Sequence, residues 1–82
     1  MKYVVYIIYS EQLDGYYVGQ TYDLDDRLKR HNSGRSGYTK KGIPWKLVKT
    51  ILCNSRPEAV KLEKKIKNRG IKRFLEDINI GM

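Results

Sequence analysis

The chain has 82 residues, which is enough for one domain, residues 1–82, around a single small hydrophobic core. It carries 17 Lys and Arg against 9 Asp and Glu, a net charge of +8, and its single cysteine excludes both an internal disulfide and a zinc site built from several cysteines. The basic excess favours a polyanionic partner such as nucleic acid, although a merely solvating surface would have the same composition.

Two strands open the chain. Residues 3–9 and 16–20 are rich in β-branched and aromatic side chains, and the turn-forming residues 10–15 separate them, which predicts a β-hairpin. The first apolar run is far shorter than the roughly 20 residues that cross a bilayer, and it lacks the pattern of a secretory signal peptide. Together with the single cysteine, this predicts a cytoplasmic protein.

A helix is predicted next, over residues 24–31. Asp23 is a good N-cap, and Asp25 and Asp26 would lie in the first turn, where the helix dipole favours negative charge. These three aspartates are therefore interpreted as capping residues rather than as a metal cluster. Residues 32–44 contain three glycines among polar side chains and are predicted to form a long loop.

The second half of the chain predicts a third strand and two more helices. Residues 45–52 resume a strand-like pattern, and Ser55 and Glu58 have the spacing of a capping box at the start of a helix. Gly70 is placed to cap the end of that helix, and residues 71–78 predict a short last helix. The order of elements predicts an α+β domain, a small three-stranded antiparallel sheet flanked by helices.

The predicted hairpin brings two tyrosines together. If the loop places Tyr9 opposite Tyr16, then Tyr6 lies opposite Gly19, and Tyr17 is a diagonal neighbour of Tyr6 on the same face of the sheet. Gly19 has no side chain, which leaves room for a substrate or a backbone segment to approach Tyr6. The alternative interpretation is that both rings belong to an ordinary core.

Two further groups of polar side chains suit phosphate chemistry. Arg27 and His31 are four residues apart and share one face of the first helix, where a guanidinium can bind phosphate through two hydrogen bonds. Glu63 borders the apolar stripe of the second helix, where it could hold a divalent cation. Simpler interpretations are a solvated arginine, a structural histidine, and an i,i+4 ion pair between Glu63 and Lys67.

In order and spacing, these residues resemble the motifs of the GIY-YIG nuclease superfamily. Residues 4–6 (VVY) and 17–19 (YVG) resemble the paired GIY and YIG motifs, with two valines where the family name has glycine and isoleucine. Residues 23–32 resemble the following helix with its functional arginine, and residues 58–67 resemble the helix that bears a metal-binding glutamate. The similarity covers nearly the whole chain and is closest to the small single-domain bacterial members.

The resemblance implies a GIY-YIG-like fold in which five side chains converge on one cleft: Tyr6, Tyr17, Arg27, His31 and Glu63. It implies that Glu63 holds one Mg²⁺ or Mn²⁺ ion, that Arg27 stabilises charge on the phosphate, and that one of the two tyrosines activates water. The implied activity is that of a metal-dependent endonuclease that cuts phosphodiester bonds in nucleic acid, with DNA as the expected substrate and repair or recombination as the expected role. Two alternatives stay open: a non-catalytic nucleic-acid-binding module on the same fold, and a small structural protein that binds an acidic partner.

Overall fold

The computed structural model describes residues 2–35 and 37–80, apart from the side chain of Ile80. The elements are, in chain order, strands β1 (Tyr3–Ser10) and β2 (Gly15–Thr21), helix α1 (Leu24–Ser33), a 3₁₀ helix (Thr39–Gly42), strand β3 (Trp45–Cys53), and helices α2 (Arg56–Arg69) and α3 (Ile71–Ile80). The predicted α+β class is confirmed. Among the described helices, none is long and apolar enough to cross a membrane.

The three strands form one antiparallel sheet in the order β2-β1-β3, so β1 is the central strand. Tyr9 pairs with Tyr16, and Tyr6 pairs with Gly19, which confirms the predicted register. Tyr17 pairs with the strand position two residues after Tyr6. Because side chains alternate between the faces of a sheet, Tyr6 and Tyr17 project from the same face.

Each face of the sheet supports its own hydrophobic core. The buried residues of the first core come from the sheet and α2: Val5, Ile7, Val18, Cys53, Ala59 and Ile66. The second core contains three buried residues and four partly buried ones: Tyr6, Ile8 and Trp45, with Tyr17, Leu24, Leu28 and Ile43. Helices α1 and α2 therefore lie on opposite faces of the sheet, and α1 covers the face that carries the two tyrosines.

Side-chain caps fix the first turns of α1 and α2, as the sequence predicted. Asp23 accepts a hydrogen bond from the backbone N–H of Asp26 at 3.1 Å, and Ser55 accepts one from the backbone N–H of Glu58 at 3.3 Å. Glu58 in turn accepts from the backbone N–H of Asn54 at 2.9 Å, one residue before the position that a standard capping box uses. These caps fix the residue at which each helix begins.

The prediction of one long loop over residues 32–44 is wrong in part, because α1 continues to Ser33 and the 3₁₀ helix Thr39–Gly42 occupies the middle of the segment. Asn32 connects α1 to the start of β3. Its Oδ1 accepts from the backbone N–H of Trp45 at 2.6 Å, and its Nδ2 donates to the Trp45 carbonyl at 3.2 Å. A hydrophobic pattern does not encode this pairing, so the fixed conformation of the segment could not be predicted from it.

Candidate active site

A cleft of about 460 Å³ opens beside α1. Its lining consists of five side chains: Tyr17, Arg27, Arg30, His31 and Arg35. Three of these five are permanently charged guanidinium groups, and none is a carboxylate. The cleft therefore attracts anions and offers the planar donors that bind phosphate.

A buried hydrogen bond between Tyr6 and His31 lies beneath the cleft. The Tyr6 hydroxyl is 2.9 Å from His31 Nε2, and the two residues are 0% and 3% exposed. The other ring nitrogen, Nδ1, is 2.9 Å from the hydroxyl of Thr39. The His31 ring also packs edge-on against Tyr17, with 5.1 Å between ring centroids. A line of three polar groups thus runs under the cleft from Thr39 to Tyr6.

The surroundings keep both members of this hydrogen bond neutral. Burial raises the pKa of Tyr6 to about 12; neighbouring Tyr17 and the carboxylate of Glu63 also raise it, whereas the adjacent Arg27 guanidinium lowers it in part. Burial lowers the pKa of His31, and the positive charge of Arg27 lowers it further. At pH 7, Tyr6 is therefore a phenol, and His31 is a neutral imidazole with a proton on one ring nitrogen.

Gly19 serves a different purpose from the one predicted. From the sequence, a substrate or a backbone segment was expected to use the space at this residue. In the structure, a Cβ atom at Gly19 would lie 2.6 Å from the hydroxyl oxygen of Tyr6 and 2.8 Å from its Cζ. The Tyr6 ring itself occupies the space, so that prediction is wrong: the missing side chain allows Tyr6 to reach His31.

Glu63 does not line the cleft. Its helix, α2, packs on the opposite face of the sheet through Ala59 and Ile66. Glu63 Oε2 is 2.8 Å from Nζ of Lys67, and this hydrogen bond raises the pKa of Lys67. The simpler interpretation of Glu63, an i,i+4 ion pair, is therefore observed in the structure. Its carboxylate is nevertheless close enough to act electrostatically on Tyr6.

The protein offers few ligands for a cation near this site. Within residues 2–35 and 37–80, no three His, Cys, Asp or Glu side chains are grouped closely enough to hold a metal ion. Glu63 is the carboxylate whose negative charge raises the pKa of the Tyr6 hydroxyl. Mg²⁺ commonly takes one or two carboxylates and completes its shell with water and substrate phosphate oxygens. Glu63, with its side chain 22% exposed, offers one carboxylate of the kind that such an ion takes, and in this structure that carboxylate is paired with Lys67.

The five predicted site residues thus occupy three positions. Tyr17, Arg27 and His31 line the cleft. Tyr6 lies buried beneath it and is hydrogen-bonded to His31. Glu63 acts on Tyr6 from the helix on the other face of the sheet.

Two residues of the site, Arg30 and Thr39, were not predicted from the sequence. Arg30 lines the cleft beside Arg27, and the i,i+3 spacing of the two on α1 was a usable signal. Thr39 is fully buried against His31, but it belongs to a glycine-containing segment without periodicity. Only the folded chain shows this contact.

Comparison with known proteins gives the family of the chain. Residues 2–74 match the family model described as the GIY-YIG catalytic domain. The chain belongs to the GIY-YIG family. This confirms the resemblance noted in the motifs, and because the GIY-YIG domain is a nuclease fold, a nuclease-type function is supported.

Similar proteins carry the name UPF0213. The UPF0213 protein BH0048 of Halalkalibacterium halodurans is 40% identical over 70 residues, which cover 83% of this chain and 72% of that protein. A UPF0213 protein of Streptococcus pneumoniae is 37% identical over 71 residues, covering 84% and 72%. The solution NMR structure of BH0048 from Bacillus halodurans matches this GIY-YIG fold with a TM-score of 0.60 and 31% identity, over 98% of this chain and 85% of that one.

Proposed function

We propose that this GIY-YIG domain is a divalent-metal-dependent endonuclease that hydrolyses phosphodiester bonds in DNA. The observation that carries the proposal is the position of the buried Tyr6–His31 hydrogen bond directly beneath a cleft with three arginines. A surface that only binds nucleic acid needs the cations alone. Proton-donating and proton-accepting groups next to a phosphate site are what hydrolysis requires in addition.

Arg27 is the proposed phosphate ligand. It lies on α1, lines the cleft, and also lowers the pKa of the Tyr6 hydroxyl. A guanidinium there can hold two phosphate oxygens and stabilise the charge that grows on them as the bond breaks. Arg30 and Arg35 extend the same positive lining along the nucleic-acid backbone.

Tyr6 and Tyr17 are joint candidates for the group that activates water. Tyr17 lines the cleft and is only partly buried, so it is the more accessible of the two residues. Tyr6 lies deeper, and the pKa of about 12 means that it holds its proton firmly in the resting protein. His31 contacts both rings and so fixes their relative positions.

Glu63 is the proposed protein ligand of the metal ion. A divalent cation bound there would neutralise charge on the scissile phosphate and on the leaving oxygen. Glu63 would have to exchange its ion pair with Lys67 for the cation. An i,i+4 pair on a helix surface contributes about 0.3–0.5 kcal/mol, and the Lys67 partner here is 56% exposed, so it can move aside into solvent.

A non-catalytic nucleic-acid-binding module is the second candidate. Two observations favour it: the basic lining of the cleft is sufficient for binding phosphate, and Glu63 already has a partner in Lys67. If the protein only binds nucleic acid, Tyr6 and His31 are core residues, and their hydrogen bond simply provides each buried polar group with a partner.

A cleavage assay on a panel of substrates separates the two candidates. The panel contains single-stranded, nicked, flap and junction DNA, with the matching RNA, in Mg²⁺, in Mn²⁺ and in chelator. An endonuclease gives metal-dependent products, and cutting of flaps or junctions would assign it to repair or recombination. Arg27→Ala, purified in parallel, controls for contaminating nuclease. Binding to the panel without products in any metal would leave only the binding module.

A further inference from the structure

We infer that a second pocket, next to the arginine-lined cleft, binds one unpaired nucleobase, which stacks on the exposed ring of Tyr38. This inference deepens the proposed nuclease function, on which it rests, because it states what kind of nucleotide lies beside the cleft. A base that is free to enter the pocket belongs to a single strand or to an unpaired position of a branched substrate. Tyr38 lies in the segment that the sequence predicted only as a loop.

The second pocket lies at the outer edge of β2 and has a volume of about 390 Å³. Six residues line it: Tyr16, Tyr17, Val18, Tyr38, Lys67 and Ile71. The first three are consecutive in β2, so their side chains alternate between the two faces of the sheet, and the pocket extends around the edge of the strand. Its volume is within the roughly 300–1,000 Å³ that is usual for small-molecule sites.

Tyr17 connects the second pocket to the cleft, because it lines both of them. The centroid of its ring is 6.0 Å from that of Tyr38, with an angle of 39° between the two ring planes. A strand whose phosphate is held by Arg27 therefore has an aromatic surface available at the part of the cleft that Tyr17 lines. Since phosphates and bases alternate along a strand, a phosphate site and a base site side by side suit one strand.

The position of Tyr38, more than its exposure, points to a base. Its side chain is 75% exposed, but single exposed apolar residues are common on protein surfaces and need no explanation. Tyr38 differs from such residues because it adjoins both a candidate site residue, Tyr17, and a pocket with the apolar side chains of Val18 and Ile71. A base that stacks on the ring covers this apolar surface, which favours binding.

The charges around the second pocket also suit a nucleotide. None of its six lining residues is a carboxylate, and Lys67 contributes an ammonium group, which in this structure is paired with Glu63. Proteins that bind single strands combine a basic groove for the backbone with aromatic side chains on which bases stack. The bases of a duplex are paired and stacked on one another, so only an unpaired or extruded base can enter such a pocket. The pocket therefore favours single-stranded segments.

Photocrosslinking shows which side chain a bound base contacts. The whole protein is mixed, in chelator, with a single-stranded oligonucleotide in which 5-iodouracil replaces every thymine, so that the register of the strand need not be known. Near-ultraviolet light then links 5-iodouracil to an aromatic ring on which it stacks. We expect a cross-link at Tyr38, identified by mass spectrometry of the peptides. With the fully paired duplex of the same sequence, we expect no cross-link at Tyr38.

Three variants complete the test. Tyr38→Leu removes the aromatic face, Tyr38→Phe keeps it, and Tyr22→Leu makes the same exchange at an exposed tyrosine that packs against Tyr3 instead. We expect Tyr38→Leu to weaken binding of the single strand about 5- to 150-fold, the range for loss of one stacked base, and to leave duplex binding unchanged. The other two should keep the wild-type preference for single strands. Because Tyr38 is largely exposed, its replacement should leave the fold intact.

Wild-type affinity of folded Tyr38→Leu for the single strand, or cross-links that all lie at other residues, would overturn the inference and leave the proposed nuclease function standing. An equal loss of single-strand and duplex binding in Tyr38→Leu would overturn it as well, because the ring would then make a general contact rather than stack on a base. A protein that binds no single strand would overturn both proposals. Since the assay runs in chelator, a lack of nuclease activity would not affect its result.

Discussion

The hydroxyl of Tyr6 lies 2.9 Å from Nε2 of His31, although 25 positions separate the two residues in the chain. The contact connects the central strand of the sheet to the last turn of α1, and Tyr6 is at the same time a buried member of the second core. The geometry of the proposed active site therefore depends on correct packing beneath it, not only on the residues that line it.

Gly19→Ala tests that dependence. The added methyl group would lie 2.6 Å from the Tyr6 hydroxyl oxygen, so the ring must move and the hydrogen bond to His31 must lengthen or break. We expect a loss of about 1–3 kcal/mol in the free energy of unfolding, measured by urea denaturation, together with reduced cleavage. Gly37→Ala is the matched control, because nothing lies within 4 Å of its new methyl group. Equal stability of the two variants would contradict the packing described here.

The stability of the protein should fall as the pH drops below 6.5. Burial and Arg27 lower the pKa of His31, so the unfolded chain, with its histidine at the ordinary value of 6.5, binds a proton before the folded protein does. The contribution of neutral His31 to the free energy of unfolding is complete above pH 6.5, and it is lost as the pH falls through the lower pKa of His31 in the folded state. Denaturation between pH 7.5 and 5.5 and an NMR titration of His31 measure it. In His31→Gln this part of the pH dependence should disappear, and a titration midpoint at or above 6.5 would refute the explanation.

Arg27→Ala should abolish most cleavage with little effect on the fold. Arg27 is only partly buried, and its proposed task is to stabilise charge on the phosphate, which at comparable sites is worth about 100-fold or more in kcat. Arg27→Lys should recover little, because an ammonium group cannot form two parallel hydrogen bonds. Arg73→Ala on α3 removes the same charge from an exposed position and serves as control. Normal turnover by a folded Arg27→Ala protein would remove this residue from the site.

Binding of DNA should depend strongly on salt. Three arginines line the cleft, and if each neutralises one phosphate, the slope of log K against log salt is about −2 on single strands and about −3 on duplex. Arg35→Ala should reduce the slope by about 1 and weaken binding similarly for all sequences. Fluorescence anisotropy at several salt concentrations gives these values. A slope near zero would show that phosphate contacts do not drive binding.

The sequence was sufficient to predict the parts of the fold that depend on local patterns. The six-residue hairpin loop, with Tyr9 opposite Tyr16, was sufficient to predict the pairing of Tyr6 with Gly19, since the register of a hairpin follows from its loop. Asp23 and Ser55 marked the helix starts, because their side chains can satisfy free N–H groups there. Such features need only the neighbouring residues to be known.

The sequence did not predict the contacts that tertiary packing creates. Thr39 reaches His31 only because Asn32 and Trp45 bring the segment after α1 back against the helix. The space at Gly19 was foreseen, but which group fills it depended on the rotamer of Tyr6 in the folded core. Glu63 allowed both an ion pair and a metal site from helix geometry alone, and the structure shows the first without excluding the second.

Replacing one carboxylate oxygen of Glu63 by an amide nitrogen is the most direct test of the proposal that the protein is a metal-dependent nuclease. Glu63→Gln keeps the size of the side chain and, if only the ion pair with Lys67 is lost, lowers stability by no more than about 0.5 kcal/mol. Glu76→Gln on α3 makes the same exchange at an exposed position and should leave cleavage unchanged. The measurement is the single-turnover cleavage rate of a DNA substrate in Mg²⁺, with DNA binding followed in the same samples. We predict that Glu63→Gln stays folded, still binds DNA, and loses Mg²⁺-dependent cleavage. A folded Glu63→Gln protein that cuts DNA at the wild-type rate would contradict the proposed metal site.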